Sequence, residues 1–203
     1  MSSCGVCDEL LGIVFPHLEK VLVERVSLEG EKVEVWARAR EGVALPCPDC
    51  GVLSTRVHSR YRRRLADVAV GGRPVVIHLR VRRLFCDEPC CPRRTFVEQV
   101  DGLSVRYGRY TPLLLALLQA VGLALAGSAG ARLLAVLHVA VSRVTLLALV
   151  MALPDPDWKV PRVLGVDDFA LRRGGVWGTV LVDNAAGAGV AAQSGRRAAC
   201  RVA

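Results

Sequence analysis

Two short stretches, "CPDC" at Cys47–Cys50 and "CDEPCC" at Cys86–Cys91, carry thiols at the spacing of metal-binding knuckles. Zinc takes four ligands in a tetrahedron, and two such loops on neighbouring strands can supply them without an elaborate core. Cys47, Cys50 and Cys86 are therefore expected to hold a structural Zn²⁺, while residue type alone leaves Cys90 and Cys91 open as the fourth ligand. Cys4 and Cys7 form a lone pair of thiols with no second pair nearby, and Cys200 stands by itself, so none of these receives a role. A second constellation is acidic. Asp167 and Asp168 follow an apolar strand in "VLGVDDFALRR", and Asp183 ends the next strand. Such a hairpin is how a ribonuclease-H-like core begins, with a carboxylate holding a divalent ion for phosphoryl transfer. One carboxylate cannot complete a two-metal site, and no acid follows Asp183.

The third constellation is arginine. The formal net charge is +8, with 24 Arg against 3 Lys, and Arg56 to Arg94 holds eleven Arg, two His and three acids. The guanidinium fork suits phosphate oxygens and guanine edges, so the partner expected is a polyanion. Side chains alternate along a strand, which places Arg80 and Arg82 on one face, while Arg62 to Arg64 form a run at a presumed bend. Arg56, Arg60, Arg62, Arg63, Arg80 and Arg82 are the expected DNA contacts in this region. His58 and His78 are not needed as ligands where four thiols suffice.

These groups need elements to position them. "VLVERVSL" and "KVEVWARAR" alternate around Glu29-Gly30-Glu31, the pattern of a hairpin, and a second β region turns at Gly71-Gly72. Residues 101–110 read as a linker. Helical spacing then begins with Pro112 at a first turn, breaks at Gly127-Ser128, and resumes after a tight turn with Ser142 as N-cap of a third helix. Two short helices joined by a tight turn suit a helix-turn-helix, whose second helix would offer Arg143 and Thr145 to base edges. Thr111 to Ala131 carries no formal charge and could pass for a membrane span, but Pro112, Gln119 and several glycines inside it favour buried helices, and no membrane is expected. The N-terminus lacks a basic start followed by an apolar run, so the location expected is cytoplasmic, with thiols rather than disulfides.

Five stretches together, "CPDCG", "RVHSRYRRRLADV", "VRRLFCDEPCCPRRTFVEQV", "RLLAVLHVAVSRVTLLALVMALP" and "GVDDFALRRGGVWGTVLVD", resemble the ISL-three family of bacterial insertion-sequence transposases over Val21 to Asp183. In that family the second knuckle reads Cys, four residues, Cys, which selects Cys91 beside Cys86. The resemblance implies a DDE enzyme whose first catalytic acid falls on Asp167, with Mg²⁺ held in an intact full-length relative. It implies double-stranded DNA as partner, in particular terminal inverted repeats, and a homodimer or an intact transposase copy as protein partner.

The fold class expected is multi-domain α+β: an N-terminal extension (1–20), a β-rich zinc domain (21–100), a helix-turn-helix domain (101–153), a linker (154–162) and the first hairpin of an incomplete ribonuclease-H-like core (163–183). Residues 184–203 are Ala, Gly and Arg with almost no apolar pattern, like GC-rich DNA read out of frame, and are expected to be an aberrant tail. The chain then reads as a truncated or frameshifted N-terminal part, catalytically incomplete alone. Two rival readings are a stand-alone DNA-binding repressor of transposition and a small membrane protein built on Thr111 to Ala131.

Overall fold

Alternation in the N-terminal half produces two hairpins. Strands β1 (Val21–Glu29) and β2 (Lys32–Ala39) meet at a two-residue turn where Gly30 adopts φ 60°. Strands β5 (Val57–Val70) and β6 (Arg73–Phe85) meet at Gly71-Gly72, both left-handed at φ 58° and 72°, a conformation that glycine adopts without a Cβ clash. The computed structural model describes residues 5–154, 163–172, 176–183 and 188–194. Nearly all of the expected linker at 154–162 lies outside the described residues, as do Cys4 and Cys200. The chain divides into two units, Met1–Leu153 and Pro154–Ala203, each described by itself.

In the first unit the two hairpins join through a parallel pairing of β2 with β6, from Val33↔Val75 to Arg38↔Arg80, in the order β1-β2-β6-β5. Strand β7 (Thr95–Val97) bonds β6 further along, at Arg83 to Phe85. Because β5 holds one edge of β6 as far as Leu84, β7 occupies the edge that β2 has left. A small ribbon of β3 (Leu45–Pro46) and β4 (Leu53–Ser54) lies between the hairpins in the chain.

One face of the sheet is apolar. Val35, Ala37, Leu65, Val75, Ile77, Leu79 and Val81 are buried there beneath Phe15, Leu18, Val100 and Leu103, with Leu11 of helix α1 (Gly5–Val14) packed against them. Burial of each large aliphatic or Phe side chain contributes about 1.5–3 kcal/mol. Residues 1–20 and 101–110, expected as an extension and a linker, thus supply part of the core's cover. A single Phe or Leu in a short irregular stretch has no periodicity to announce it, yet an apolar sheet face must be covered by something.

Helix α2 (Pro112–Val136) starts at Thr111, whose hydroxyl accepts from the Leu114 N–H, and it is broken at Ala126 (φ 56°, ψ −163°). The break falls one residue before the expected Gly127-Ser128. Helix α3 (Arg143–Met151) has Ser142 as N-cap, accepting from the Thr145 N–H, as expected. Among the described residues α2 is the one helix long and apolar enough to cross a membrane. The break at Ala126 leaves each half shorter than the ~20 residues a span needs. Leu114, Leu118, Leu134, Val139 and Leu146 form a second core, against which Ala66 and Val68 of β5 also pack.

The close approach of α2 and α3 depends on glycine. A Cβ at Gly122 would lie 2.5 Å from Val150 Cγ2, and one at Gly130 2.6 Å from Leu146 Cδ2. At Gly127 it would lie 2.9 Å from Leu147 Cγ and 3.0 Å from the Arg143 carbonyl oxygen, which is main chain and cannot rotate away.

In the second unit β8 (Leu164–Arg172), β9 (Val176–Asp183) and β10 (Ala188–Ser194) form an antiparallel sheet in the order β10-β9-β8. Two features differ from expectation. Asp167 and Asp168 sit inside β8, not at its end, and Ala188–Ser194 pairs with β9 although the sequence there has almost no apolar pattern. A strand can be recruited by main-chain bonds alone, which Ala and Gly supply as well as larger residues.

Gly127→Ala is expected to lower stability. Overpacking of about 1–3 kcal/mol outweighs the helix-propensity gain of up to ~1 kcal/mol. Thermal unfolding of the full chain measures it, and an unchanged or raised midpoint would show that the helices do not approach this closely.

Candidate metal centre

The ribbon and β6 bring the four thiols together. Cys47 follows β3, its N–H donates to the Val52 carbonyl at 2.9 Å, and the Gly51 N–H returns to the Cys47 carbonyl at 2.8 Å, closing the first knuckle. Gly51 takes φ 76° there. Cys86 directly follows β6, and its N–H donates to the Arg94 carbonyl at 3.0 Å across the base of the second loop. Arg93 clamps the two loops, its Nε and Nη2 donating to the two Asp49 carboxylate oxygens at 2.7 and 2.8 Å. That guanidinium holds the Asp49 carboxyl below its ordinary range.

The Sγ atoms of Cys47, Cys50, Cys86 and Cys91 all lie within 4.8 Å of one another. Cys50 and Cys86 are 3.5 Å apart, Cys47 and Cys91 4.0 Å. A tetrahedron with Zn–S bonds of about 2.3 Å has sulfur–sulfur edges of ~3.8 Å, so the donor set fits zinc with little movement. The structure thereby gathers Cys91, while Cys90 is exposed and uses its N–H on the Glu88 carboxylate at 3.2 Å.

Electrostatics also favour a cation at this point. Burial pushes the Cys47 thiol up, but the N–H groups of Asp49 and Cys50 and the neighbouring thiols bring it down to about 7. For Cys86 the Glu88 N–H acts downward, yet burial and the three other thiols push it up to about 12. One thiolate forms easily, and Cys86 and Cys91 then resist ionising. A divalent ion would remove that opposition, since a coordinating thiol is deprotonated outright.

The sheet face opposite the core is basic. Trp36 stacks on His78 with ring centroids 4.2 Å apart and an interplanar angle of 11°. The guanidinium groups of Arg25 and Arg62 lie 4.9 and 5.0 Å from the Trp36 ring. The register pairs Arg62 with Arg80, Arg60 with Arg82, Arg64 with His78, and Arg38 with Arg80, so these residues share the face. Glu24 meets Arg38 and Arg80, Glu41 meets Arg60, and Glu34 meets His78, which leaves the arginines in excess.

The expected DNA-contact residues divide. Arg60, Arg62 and Arg80 belong to this open face. Arg82 is 4% exposed, its guanidinium held by Glu98 at 2.7 Å and by the Val43 carbonyl, so it braces the fold. Arg63 is held by Gln99 and by the carbonyls of Val105 and Gly108. Arg56 lies over Phe85 and pairs with Asp87 beside the second knuckle. Arg143 is exposed at the start of α3, whereas the Thr145 hydroxyl is bonded to Ser142 at the cap. Trp36, His78, Arg25, Arg38 and Arg64 complete the face without having been expected there. Alternation in "KVEVWARAR" places Trp36 and Arg38 opposite Val35 and Ala37, but it does not say which strand lies alongside.

Asp167 and Asp168 are exposed on β8, and Asp168 accepts from the Thr179 hydroxyl at 2.6 Å. Among the described residues the thiols are the only group of three or more metal-binding side chains, and Asp167 belongs to no such group.

Residues 45–96, which contain all four gathered thiols, match the family described as zinc-finger of transposase IS204/IS1001/IS1096/IS1165. The chain is also 31% identical over 167 residues to the transposase for insertion sequence element IS1001 of Bordetella parapertussis, an alignment covering 79% of this chain and 39% of that protein. Residues 45–96 carry the zinc finger of the ISL-three transposases. It spans about two fifths of the length of the curated relative it matches, 39%. No solved structure matches it. The ISL-three zinc finger accounts for the two knuckles and their spacing, and the basic face is built on β1, β2, β5 and β6, the last of which leads into the second knuckle.

Cys86→Ser is expected to abolish zinc binding and unfold the ribbon, since a structural zinc contributes on the order of 10 kcal/mol. Cys90→Ser should retain one zinc per chain. Elemental analysis of the purified variants decides it, and loss of metal from the Cys90 variant would reassign the fourth ligand.

Proposed function

We propose that this chain is the zinc-stabilised, DNA-binding part of a DDE transposase, acting in the bacterial cytoplasm on the terminal inverted repeats of its element. The observation that carries this reading is the face formed by Trp36, Arg25, Arg38, Arg60, Arg62 and Arg80, rigidly backed by a sheet that runs into the thiol cluster. Arginines on strands are pre-placed donors for phosphates, and phosphate contacts set affinity and register on a duplex. The zinc finger supports them by holding the end of β6.

The helical segment supports a second contact. The C-terminal half of α2, a turn at His138 (φ 59°) and α3 have the helix–turn–helix order, with Arg143 exposed at the first position of α3. That position is where such helices meet base edges. Val144 and Met151 are also exposed, so α3 offers apolar contact, suited to thymine methyls, more than donors.

Strand transfer needs more than Asp167, because one exposed carboxylate does not make a Mg²⁺ site. In this reading Asp167 is one acid of a set completed elsewhere in a full-length transposase, and a second copy or an intact transposase is the protein partner. A rival reading is a repressor that occupies the same DNA without cutting it.

Arg62→Ala and Arg80→Ala are each expected to weaken duplex binding and to reduce the slope of log K against log salt by about 1 for each phosphate that is no longer neutralised. Anisotropy titrations of a labelled duplex across a salt series provide the test. Unchanged slopes in both variants would remove this face from the DNA interface.

A further inference from the structure

A groove of about 730 Å³ lies beside the metal centre, on the core side of the sheet but past the end of the apolar core. Strand period explains its lining. Leu65, Ile77, Leu79 and Val81 face the core, and the same side of β5 and β6 continues outward with Arg63, Tyr61 and Arg83. The first knuckle forms one wall, through Pro46 and Pro48, and the loop at 105–108 forms another.

Two aromatic rings stand open here. Tyr61 is 41% exposed and Tyr107 84% exposed. Tyr107 also adopts φ 60°, a conformation that L side chains rarely take and that persists only where the surroundings impose it. The surroundings do so: Arg63 grips the Val105 and Gly108 carbonyls on either side at 2.6 and 2.9 Å. Arg106 lies 4.8 Å from the Tyr107 ring and donates to its hydroxyl. Arg83 uses its Nε on the Thr95 hydroxyl at 3.1 Å, which leaves the rest of its fork open. The one acid in the lining, Glu98, is already bound to Arg82 at 2.7 Å.

We propose that this groove receives a short single-stranded segment of nucleic acid, with bases stacked on Tyr61 and Tyr107 and phosphates met by Arg83 and Arg106. A duplex offers phosphates and groove edges but keeps its base faces covered, so two exposed rings beside guanidinium groups with donors to spare suit unpaired bases. Stacking is tolerant of sequence, because every base has a π face. The proposal rests on the DNA-binding reading and adds to it a site for unpaired DNA distinct from the Trp36 face.

The test uses the full zinc-loaded chain, a labelled oligothymidine and a labelled duplex of the same length. The double variant Tyr61→Ala/Tyr107→Ala is expected to lose about tenfold or more of its oligothymidine affinity while its duplex affinity stays within about twofold. Tyr107→Phe, which keeps the ring, should retain single-strand binding, and unchanged zinc content and thermal midpoint will show that the variants are folded. Equal loss for duplex and single strand would overturn the proposal, as would no loss for either. If the unaltered chain bound neither probe, the DNA-binding reading itself would fall. Duplex binding without any oligothymidine binding would leave that reading standing and sink this one.

Discussion

Strand β6 bonds three neighbours: β2 along Val75 to Arg80, β5 along nearly its whole length, and β7 at Arg83 to Phe85. Its register therefore determines where almost everything else lies. The odd-numbered residues Val75, Ile77, Leu79 and Val81 enter the core, the even-numbered His78 and Arg80 face away from it, and the strand ends at Phe85, directly before Cys86. A slip of one residue would exchange these sets and move the thiol out of reach of the ribbon. Core burial and the gathering of the thiols consequently favour the same register from opposite ends of one strand.

Two buried polar clusters tie other parts to that sheet. Asp67 of β5 meets His17 Nε2 at 2.7 Å and the Thr111 hydroxyl at 2.6 Å, and Thr111 is also the N-cap of α2. One carboxylate thus links the N-terminal cover, the sheet and the helices. Arg82 and Glu98 do the same for β6 and the segment after β7, with two guanidinium–carboxylate bonds at 2.7 and 3.0 Å. Removing one partner of such a pair leaves a buried charge without compensation, which costs far more than the pair gains over apolar packing. Their role is to specify which segments meet.

Local features were legible in the sequence, and pairings across distance were not. The two knuckles, both glycine turns, the break in α2 and the Ser142 cap each depend on residues a few positions apart, so spacing alone conveys them. Cys86 and Cys47 could be matched by type, but the choice of Cys91 over Cys90 followed from family spacing and is now supported by the thiol distances. The stacking of Trp36 on His78 requires β2 and β6 to lie parallel, and no pattern within either strand records its neighbour. Alternation correctly put Arg80 and Arg82 on one side, yet it could not show that β7 and the loop beyond it carry Glu98 up to cover Arg82. The placement of Asp167 inside β8 was hidden for the converse reason, since an acid near a strand's end and one within it have the same letters around them.

The arginine excess is divided by geometry into two functions. Arg63, Arg82 and Arg93 have their forks filled by carbonyls or carboxylates and act as struts. Arg25 and Arg62 instead hold their guanidinium carbons 4.9 and 5.0 Å from the centre of the Trp36 ring, a cation–π contact that does not consume their N–H donors. Lysine could not do both, because an ammonium has no flat face to rest on the ring. This argues that the preference for Arg over Lys reflects more than coding bias on the strands around Trp36: the same chemical group that builds the loops in one rotamer presents ordered, low-entropy donors in another. A surface of that kind meets phosphates with less conformational entropy to lose than a lysine-rich one of equal charge.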